Sequence, residues 1–154
     1  MSNINIVIPM AGRGSRFSNA GYIKPKPFID INGSPMILHV LNNLKYENAR
    51  FILIVRSEHV EKEKETIKQI EENHPVLFHP IDIITEGAAC TVLHARKFIN
   101  DSNPLIIANS DQFISANFSD YVNDCIDRNL DGSIMTFIDT ERNPKWSFAK
   151  VDSD

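Results

Sequence analysis

Short apolar runs, each too brief to form a helix of its own, alternate along this chain with stretches of helical periodicity. That alternation restricts the fold more than any other feature. Ile4-Asn5-Ile6-Val7-Ile8, Phe51-Ile52-Leu53-Ile54-Val55 and Leu105-Ile106-Ile107-Ala108 read as strands buried on both faces, as parallel sheets require. Between the first two, Ser34 as cap and Pro35 at the first helical position open a helix. Its Ile37, Val40, Leu41 and Leu44 form one apolar stripe. Ser57 caps a second, charge-rich helix running through Lys68, with Glu58 and Glu61 suited to its positive end. Ala88 to Ile99 form a third, with Ala88, Val92, Ala95 and Ile99 on one side, and residues 117–128 a fourth. Phe28 to Ile31 is a short extended piece before an Asn32-Gly33 turn, and Pro75 to Ile84 a strand and connector. Ser133 to Ile138 and Trp146 to Asp152 read as further strands. The alternation predicts an α/β fold, a three-layer α/β/α sandwich around a mostly parallel sheet.

The 154 residues are enough for one domain with its own core. A net charge of −4, from 16 Lys and Arg against 20 Asp and Glu, supplies no broad basic surface and argues against a nucleic-acid partner. No apolar run reaches the roughly 18 residues of a membrane span. The N-terminus lacks the basic-then-apolar pattern of a signal peptide, so the cytoplasm is the expected compartment. Cys90 and Cys125, each within a predicted helix, read as two small buried thiols rather than a disulfide. Ser153-Asp154 reads as the start of a turn directly after a strand, so the expectation is a truncated domain whose next hairpin arm lies further along.

Ligands in such sheets bind at the carboxyl ends of the strands. The loop after Ile8, the Thr85-Glu86-Gly87 loop and Asp111 should lie there. Residues 10–27 read as one long functional loop. Within it, Ala11-Gly12-Arg13-Gly14-Ser15-Arg16 combines glycines, which let a ligand approach the backbone, with a hydroxyl and two forked cations that match phosphate oxygens. A dinucleotide fingerprint would need glycine where Phe17 stands and a helix opening directly, and a P-loop would need Gly-Lys-Ser/Thr. A phosphate-binding loop of another kind and a plain connector both remain open on these residues alone. Lys24-Pro25-Lys26-Pro27 adds two cations on a stiff, extended backbone that suits a triphosphate.

A strand, then Gly-x-Gly-Ser-Arg, then about ten residues, then Pro-Lys, followed by Asn32-Gly33-Ser34-Pro35-Met36-Ile37, resembles the sugar-phosphate nucleotidyltransferases. The resemblance spans the chain, most specifically its first 40 residues, and covers about two-thirds of a usual catalytic domain of that family. It implies a Rossmann-like sheet of the nucleotide-diphospho-sugar transferase type. It also implies one domain over 1–154 that holds the nucleotide, with the acceptor-binding portion and a second metal ligand lying beyond residue 154. Ala11, Gly12, Gly14 and Ser15 match the loop that wraps a nucleoside triphosphate. Arg16 matches the arginine on the β- and γ-phosphates, and Lys26 the lysine near the α-phosphate and the acceptor; these two are the implied catalytic residues. Gly87 and Ala88 match the second nucleotide loop, although Thr85-Glu86 departs from the residues usual ahead of it. Asp111 matches the Mg²⁺-binding aspartate, although Ser110 stands where glycine is usual. Lys24 is a surface neighbour and Arg13 a variable position.

The implied activity is transfer of a nucleoside monophosphate from a triphosphate to a sugar phosphate, as in surface-polysaccharide precursor synthesis. The implied partners are a nucleoside triphosphate and a small phosphate acceptor, with neither nucleic acid nor membrane, in a chain compatible with a homo-oligomer. A cytidylyltransferase for a non-sugar phosphate and a non-catalytic nucleotide-binding module are the competing readings. A glycosyltransferase fits less well, because it binds a diphosphate without such a loop.

Overall fold

The computed structural model describes residues 4–151 and divides into two compact units, Met1–Ser119 and Asp120–Asp154. In the first, the apolar run near the N-terminus becomes strand β1 (Ile4–Pro9). A short helix α1 (Ser15–Asn19) and a single 3₁₀ turn (Lys26–Phe28) follow, inside the segment expected to be one loop. A two-stranded hairpin, β2 (Asp30–Ile31) and β3 (Ser34–Pro35), then turns at Asn32-Gly33, where both residues have positive φ (50° and 84°). This is the backbone that Asn-Gly adopts most readily between paired strands. Helix α2 (Met36–Asn43) starts after that hairpin, so Ser34 and Pro35 sit in β3 rather than capping and opening the helix. The Met36 amide donates instead to the Ile29 carbonyl, 2.9 Å away. The stripe Ile37, Val40, Leu41 and Leu44 is buried as its spacing predicts.

The chain continues through β4 (Ala49–Arg56), α3 (Ser57–Lys62), α4 (Lys64–Asn73), β5 (Val76–Ile81), α5 (Ala88–Leu93), α6 (Arg96–Ile99) and β6 (Leu105–Ile107). Two helices expected to be continuous are broken. Glu63 is buried between α3 and α4, and its carboxylate accepts the Thr66 hydroxyl. Between α5 and α6, the amides of His94 and Ala95 bond three residues back rather than four. That tightening leaves Ala95 with no exposed surface.

β1, β4, β5 and β6 form one parallel sheet in the order β5-β4-β1-β6. The chain winds outward from β1 through β4 to β5, then returns to the other side of β1. The order therefore reverses beside β1, which creates a crevice at the carboxyl ends of β1 and β6. Consecutive residues of β1 and β4 are buried, so both faces of the central sheet are covered, as the sandwich requires. On one face Val7, Ile52 and Ile54 pack with Ala11, Ile81, Val92 and Ala95. Each large aliphatic side chain so buried stabilises the fold by about 1.5–3 kcal/mol.

Asn5 is the polar exception in β1. Its Nδ2 donates to the Asp101 carboxylate (3.3 Å), and its Oδ1 accepts from Arg50 Nη2 (3.0 Å). Asp101 in turn is held below the ordinary carboxylate range, chiefly by the Asn103 amide.

β6 corrects an expectation. Among the described residues it pairs only with β1, at the edge of the sheet, and Leu105 and Ile107 are exposed rather than buried. The buried-thiol expectation also fails. Cys90 is exposed and Cys125 half-exposed, and the residues from Glu86 to Cys90 that open α5 all face solvent.

The second unit carries most of α7 (Phe118–Asp127), close to the helix expected over 117–128. Beyond it the described chain is irregular. Neither 133–138 nor 146–151 is a strand, and Asp152 lies outside the described residues. A strand exists only through a ladder partner, and among the described residues neither segment has one. Ile134, Phe137 and Ile138 are accordingly exposed. Local contacts order this stretch instead: the Asp139 carboxylate accepts the amides of Glu141 and Asn143, and the Phe137 and Trp146 rings meet edge to face at 5.3 Å. No described helix is long and apolar enough to cross a membrane.

His59 of α3 is buried, and its Nδ1 has no hydrogen-bond partner among the described residues. Burial lowers its pKa from 6.5, against a smaller opposing pull from Glu58. Its folded pKa lies below its unfolded value, so the unfolded chain binds the proton more tightly. The stability of the neutral form is complete above pH 6.5 and declines as pH falls below it. Urea unfolding of His59→Leu should show a shallower loss of stability than the parent between pH 6.5 and about pH 5. A residual slope should persist from His79, whose pKa is lowered first by burial and then by Lys97 and His94. An unchanged slope would remove His59 from this account.

Candidate functional site

The crevice at the carboxyl ends of β1 and β6 is framed by main-chain bonds that carry each strand onward into its loop. The Met10 amide donates to the Ile54 carbonyl (2.9 Å), and the Ala108 amide to the Val7 carbonyl (3.0 Å). These bonds fix where the two loops leave the sheet.

After β1, Ala11 is buried within the core cluster, so its main chain is what it can offer a ligand. Gly12 is exposed, with open space where a side chain would stand. Gly14 adopts the left-handed conformation (φ 60°, ψ 25°) and begins α1. Its carbonyl accepts the amides of Phe17 (2.9 Å) and Ser18 (3.2 Å). Among the described residues, the amides of Gly12, Arg13, Gly14, Ser15 and Arg16 donate to no backbone carbonyl. A left-handed glycine within a run of unspent amides is how a backbone forms an anion-binding concavity.

Lys26 lies over this loop. The space above Gly14 is bounded by the Lys26 Cβ, 3.4 Å from where a glycine side chain would begin. The ammonium stands 5.4 Å from the centre of the Phe17 ring and is ion-paired with the Asp111 carboxylate across 85 positions of sequence. Phe17 is braced in turn by Tyr22, with ring centres 5.7 Å apart. Pro25 is extended, but Lys26 opens a 3₁₀ turn, so the strut is not extended throughout. That turn buries Pro27 and Phe28 beneath the lysine, a firmer anchor than the stiffness of the two prolines alone. Lys24 points elsewhere, pairing with Asp30 at 2.9 Å on the surface. That hydrogen bond raises the Lys24 pKa.

The structure therefore brings Gly14, Lys26 and Asp111 together. Arg16 is exposed on α1 and forms no ion pair among the described residues; Arg13 and Ser15 are exposed beside it. The second loop reaches the same end of the sheet through α5, whose Val92 packs in the core cluster with Ala11. Gly87 precedes α5, and its carbonyl accepts the Thr91 amide (3.0 Å) and hydroxyl (3.1 Å). The Thr85 and Thr91 hydroxyls bond to each other. Gly87 and Ala88 face solvent, and Gly87 is extended, a conformation open to any residue. Phe17 and Thr91 were absent from the expected site, and Thr85 was expected only as part of its loop.

Among the described residues no three His, Cys, Asp or Glu side chains converge as a metal-binding cluster. Asp111, on the loop four residues after β6, is a single carboxylate, the share of a Mg²⁺ shell that proteins often supply when substrate phosphates and water provide the rest.

Residues 6–154 match the nucleotidyl transferase family. The chain belongs to that family. It is 26% identical over 124 residues to the bifunctional protein GlmU of Methanococcus maripaludis strain C5, covering 80% of this chain and 28% of that relative. It is 27% identical over 107 residues to mannose-1-phosphate guanyltransferase of Yarrowia lipolytica, covering 68% of this chain and 30% of the relative. Among solved structures, the nucleoside-diphosphate-sugar pyrophosphorylase of Vibrio cholerae RC9 superposes with a TM-score of 0.59 at 28% identity, covering 70% of this chain and 48% of that one. The chain thus spans less than a third of these curated relatives and about half of the solved chain. The α/β fold with a parallel sheet is common to this nucleotidyl transferase chain and its solved neighbours.

Gly14 and Gly12 should separate on substitution. An alanine at position 14 must hold a left-handed backbone, which costs about 1–2 kcal/mol. At position 12 an added methyl group meets nothing within 4 Å. Denaturant unfolding should show Gly14→Ala destabilised by about 1 kcal/mol or more and Gly12→Ala close to the parent. Equal stability of the two variants would contradict the geometry assigned to Gly14.

Proposed function

We propose that this chain carries the nucleotide-binding half of a site that transfers a nucleoside monophosphate from a nucleoside triphosphate to a sugar phosphate, releasing pyrophosphate. The observation that carries the reading is the convergence of the left-handed Gly14, Lys26 and Asp111 at the crevice beside β1. The names of two relatives, a mannose-1-phosphate guanyltransferase and a nucleoside-diphosphate-sugar pyrophosphorylase, support a sugar phosphate as acceptor. The family supports transfer of a nucleotidyl group. The cytoplasm, and a place in polysaccharide precursor synthesis, belong to the same reading.

In this reading a phosphate oxygen of the acceptor attacks the α-phosphorus. A new phosphoanhydride bond forms as the bond from the α-phosphorus to the bridging oxygen breaks, and the electron pair leaves with pyrophosphate. The attacking oxygen is already anionic, so no general base is required. Catalysis then comes from positioning and charge. The amides of Gly12, Gly14 and Ser15 cradle the triphosphate, with Ala11 contributing its main chain. Arg16, exposed and unpaired among the described residues, is free to take the β- and γ-phosphates and hold the pyrophosphate as it departs. Lys26 sits where it can neutralise the α-phosphate and the acceptor phosphate. Gly87 and Ala88 leave open space beside α5 for the nucleoside.

Asp111 would hold Mg²⁺, whose charge offsets that of the phosphates when it is bound. The Lys26–Asp111 pair must then open. Both side chains are partly exposed (25% and 40%), and such pairs contribute about 0–1 kcal/mol, so the exchange is inexpensive.

Thermal melting with ATP, CTP, GTP, UTP and dTTP, each with and without Mg²⁺, tests the reading. A nucleotide at about 100 times its dissociation constant should add roughly 2.7 kcal/mol, a shift of a few degrees. The expected result is a shift with one or two nucleotides that Arg16→Ala abolishes. Asp111→Asn should keep the metal-free shift and lose the increment from Mg²⁺. Shifts of equal size in the parent and Arg16→Ala would overturn the role given to the loop.

A further inference from the structure

The segment that carries Asp111 has no regular structure between β6 and α7, yet it is held at two points. One is the sheet itself, through the Ala108 amide on the Val7 carbonyl. The other is Asn43, the last residue of α2. Its Nδ2 donates to the Ile114 carbonyl at 2.9 Å, and its Oδ1 accepts the Ile114 amide at 2.7 Å, across 71 positions of sequence. One carboxamide thus satisfies both main-chain groups of one residue, as a neighbouring strand would. Asp111 lies between the two tethers, three residues before Ile114, and the neighbouring Ser110 is buried. Within the tethered stretch, Asn109 Nδ2 also donates to Gln112 Oε1 at 2.9 Å.

We propose that Asn43 is a positioning residue for the Asp111 carboxylate. It transmits the fixed position of α2, whose Ile37, Val40 and Leu41 are buried, to the loop that presents the aspartate. In this role Asn43 acts through the main chain from Ile114 back to Asp111. The carboxamide is suited to this because it presents a donor and an acceptor side by side, at the spacing of a peptide group. Alanine offers neither, and aspartate keeps only the acceptor while setting a carboxylate oxygen against the Ile114 carbonyl. The inference rests on the reading of Asp111 as a metal ligand, and outer partners that orient such ligands commonly alter metal affinity 10–100-fold, by the general rule for these groups.

The test is Mn²⁺ binding, read from the paramagnetic resonance of free Mn²⁺. The protein is saturated with whichever of the five nucleotides gives the largest thermal shift, well below its melting temperature. Asn43→Ala should bind Mn²⁺ about tenfold more weakly while metal-free nucleotide affinity stays at the parent value. Hydrogen exchange at the Ile114 amide should quicken. Asn43→Asp should weaken Mn²⁺ binding as well, and it serves if the alanine variant does not fold. His39→Ala removes a different bond of the same helix, from His39 Nε2 to the Ile31 carbonyl at 2.8 Å. It should lower melting temperature without changing Mn²⁺ affinity. Parent-like Mn²⁺ affinity in both Asn43 variants, with Asp111→Asn impaired, would overturn the role of Asn43 and leave that of Asp111 standing. Parent-like affinity in Asp111→Asn would overturn the metal-ligand reading, and the inference with it.

Discussion

β1 is hydrogen-bonded along both edges, to β4 on one side and β6 on the other, and the rest of the first unit is arranged around that double pairing. It aligns the carboxyl ends of three strands, so the loops that follow them emerge on the same side. The reversal of winding beside β1 prevents the following helices from closing over the crevice. Burial of β1 on both faces ties this geometry to the core: a slip of register would disturb the packing of Ile6 and Ile8 and leave buried main-chain groups without partners. Asn5 adds a polar lock, since only one register sets its carboxamide between Arg50 and Asp101.

The site built on that frame is held firmly in its backbone and loosely in its charges. Gly14 is committed to a left-handed conformation, and Phe28 beneath Lys26 is wholly buried. The charged groups themselves stay partly in water. A buried Lys26–Asp111 pair would carry a large desolvation penalty and resist opening. At the observed exposure its contribution is small, and a polyanion with a cation can replace both halves of the pair. Phe17 beneath the ammonium adds a weak attraction that does not compete with a phosphate for the same hydrogens.

Much of this was legible in the residues because local chemistry decides it. The run from Ile4 to Ile8, the stripe from Ile37 to Leu44 and the Asn32-Gly33 turn each answer to a periodicity or a backbone preference that neighbours in sequence determine. The loop glycines, Lys26 and Asp111 were picked out through family resemblance, and the structure brings Gly14, Lys26 and Asp111 together. The departures have a common cause. β6, 133–138 and 146–151 all have apolar strand sequences, but whether such a segment is buried, or is a strand at all, depends on what lies beside it. Composition does not encode a neighbour. Ser34 and Pro35 would suit a helix start, yet pairing with Asp30 and Ile31 draws them into a hairpin. Asn43 gave no sign, because an asparagine at the end of a helix is unremarkable until the Ile114 backbone is found opposite it.

That last case bears on how a carboxylate on an irregular loop can serve as a ligand at all. A metal ligand must be held to a fraction of an ångström, and the side-chain bond within this loop, Asn109 to Gln112, is exposed. The Asp111 segment takes the constraint from outside at two points, the edge of a buried strand and the end of a packed helix. Both points lie on elements whose burial the site does not disturb. Between them the chain has only a few residues in which to vary, so in the proposed role the carboxylate would exchange Lys26 for a cation with little movement of the backbone. A fixed main chain combined with exchangeable charges is what the metal role proposed for Asp111 requires.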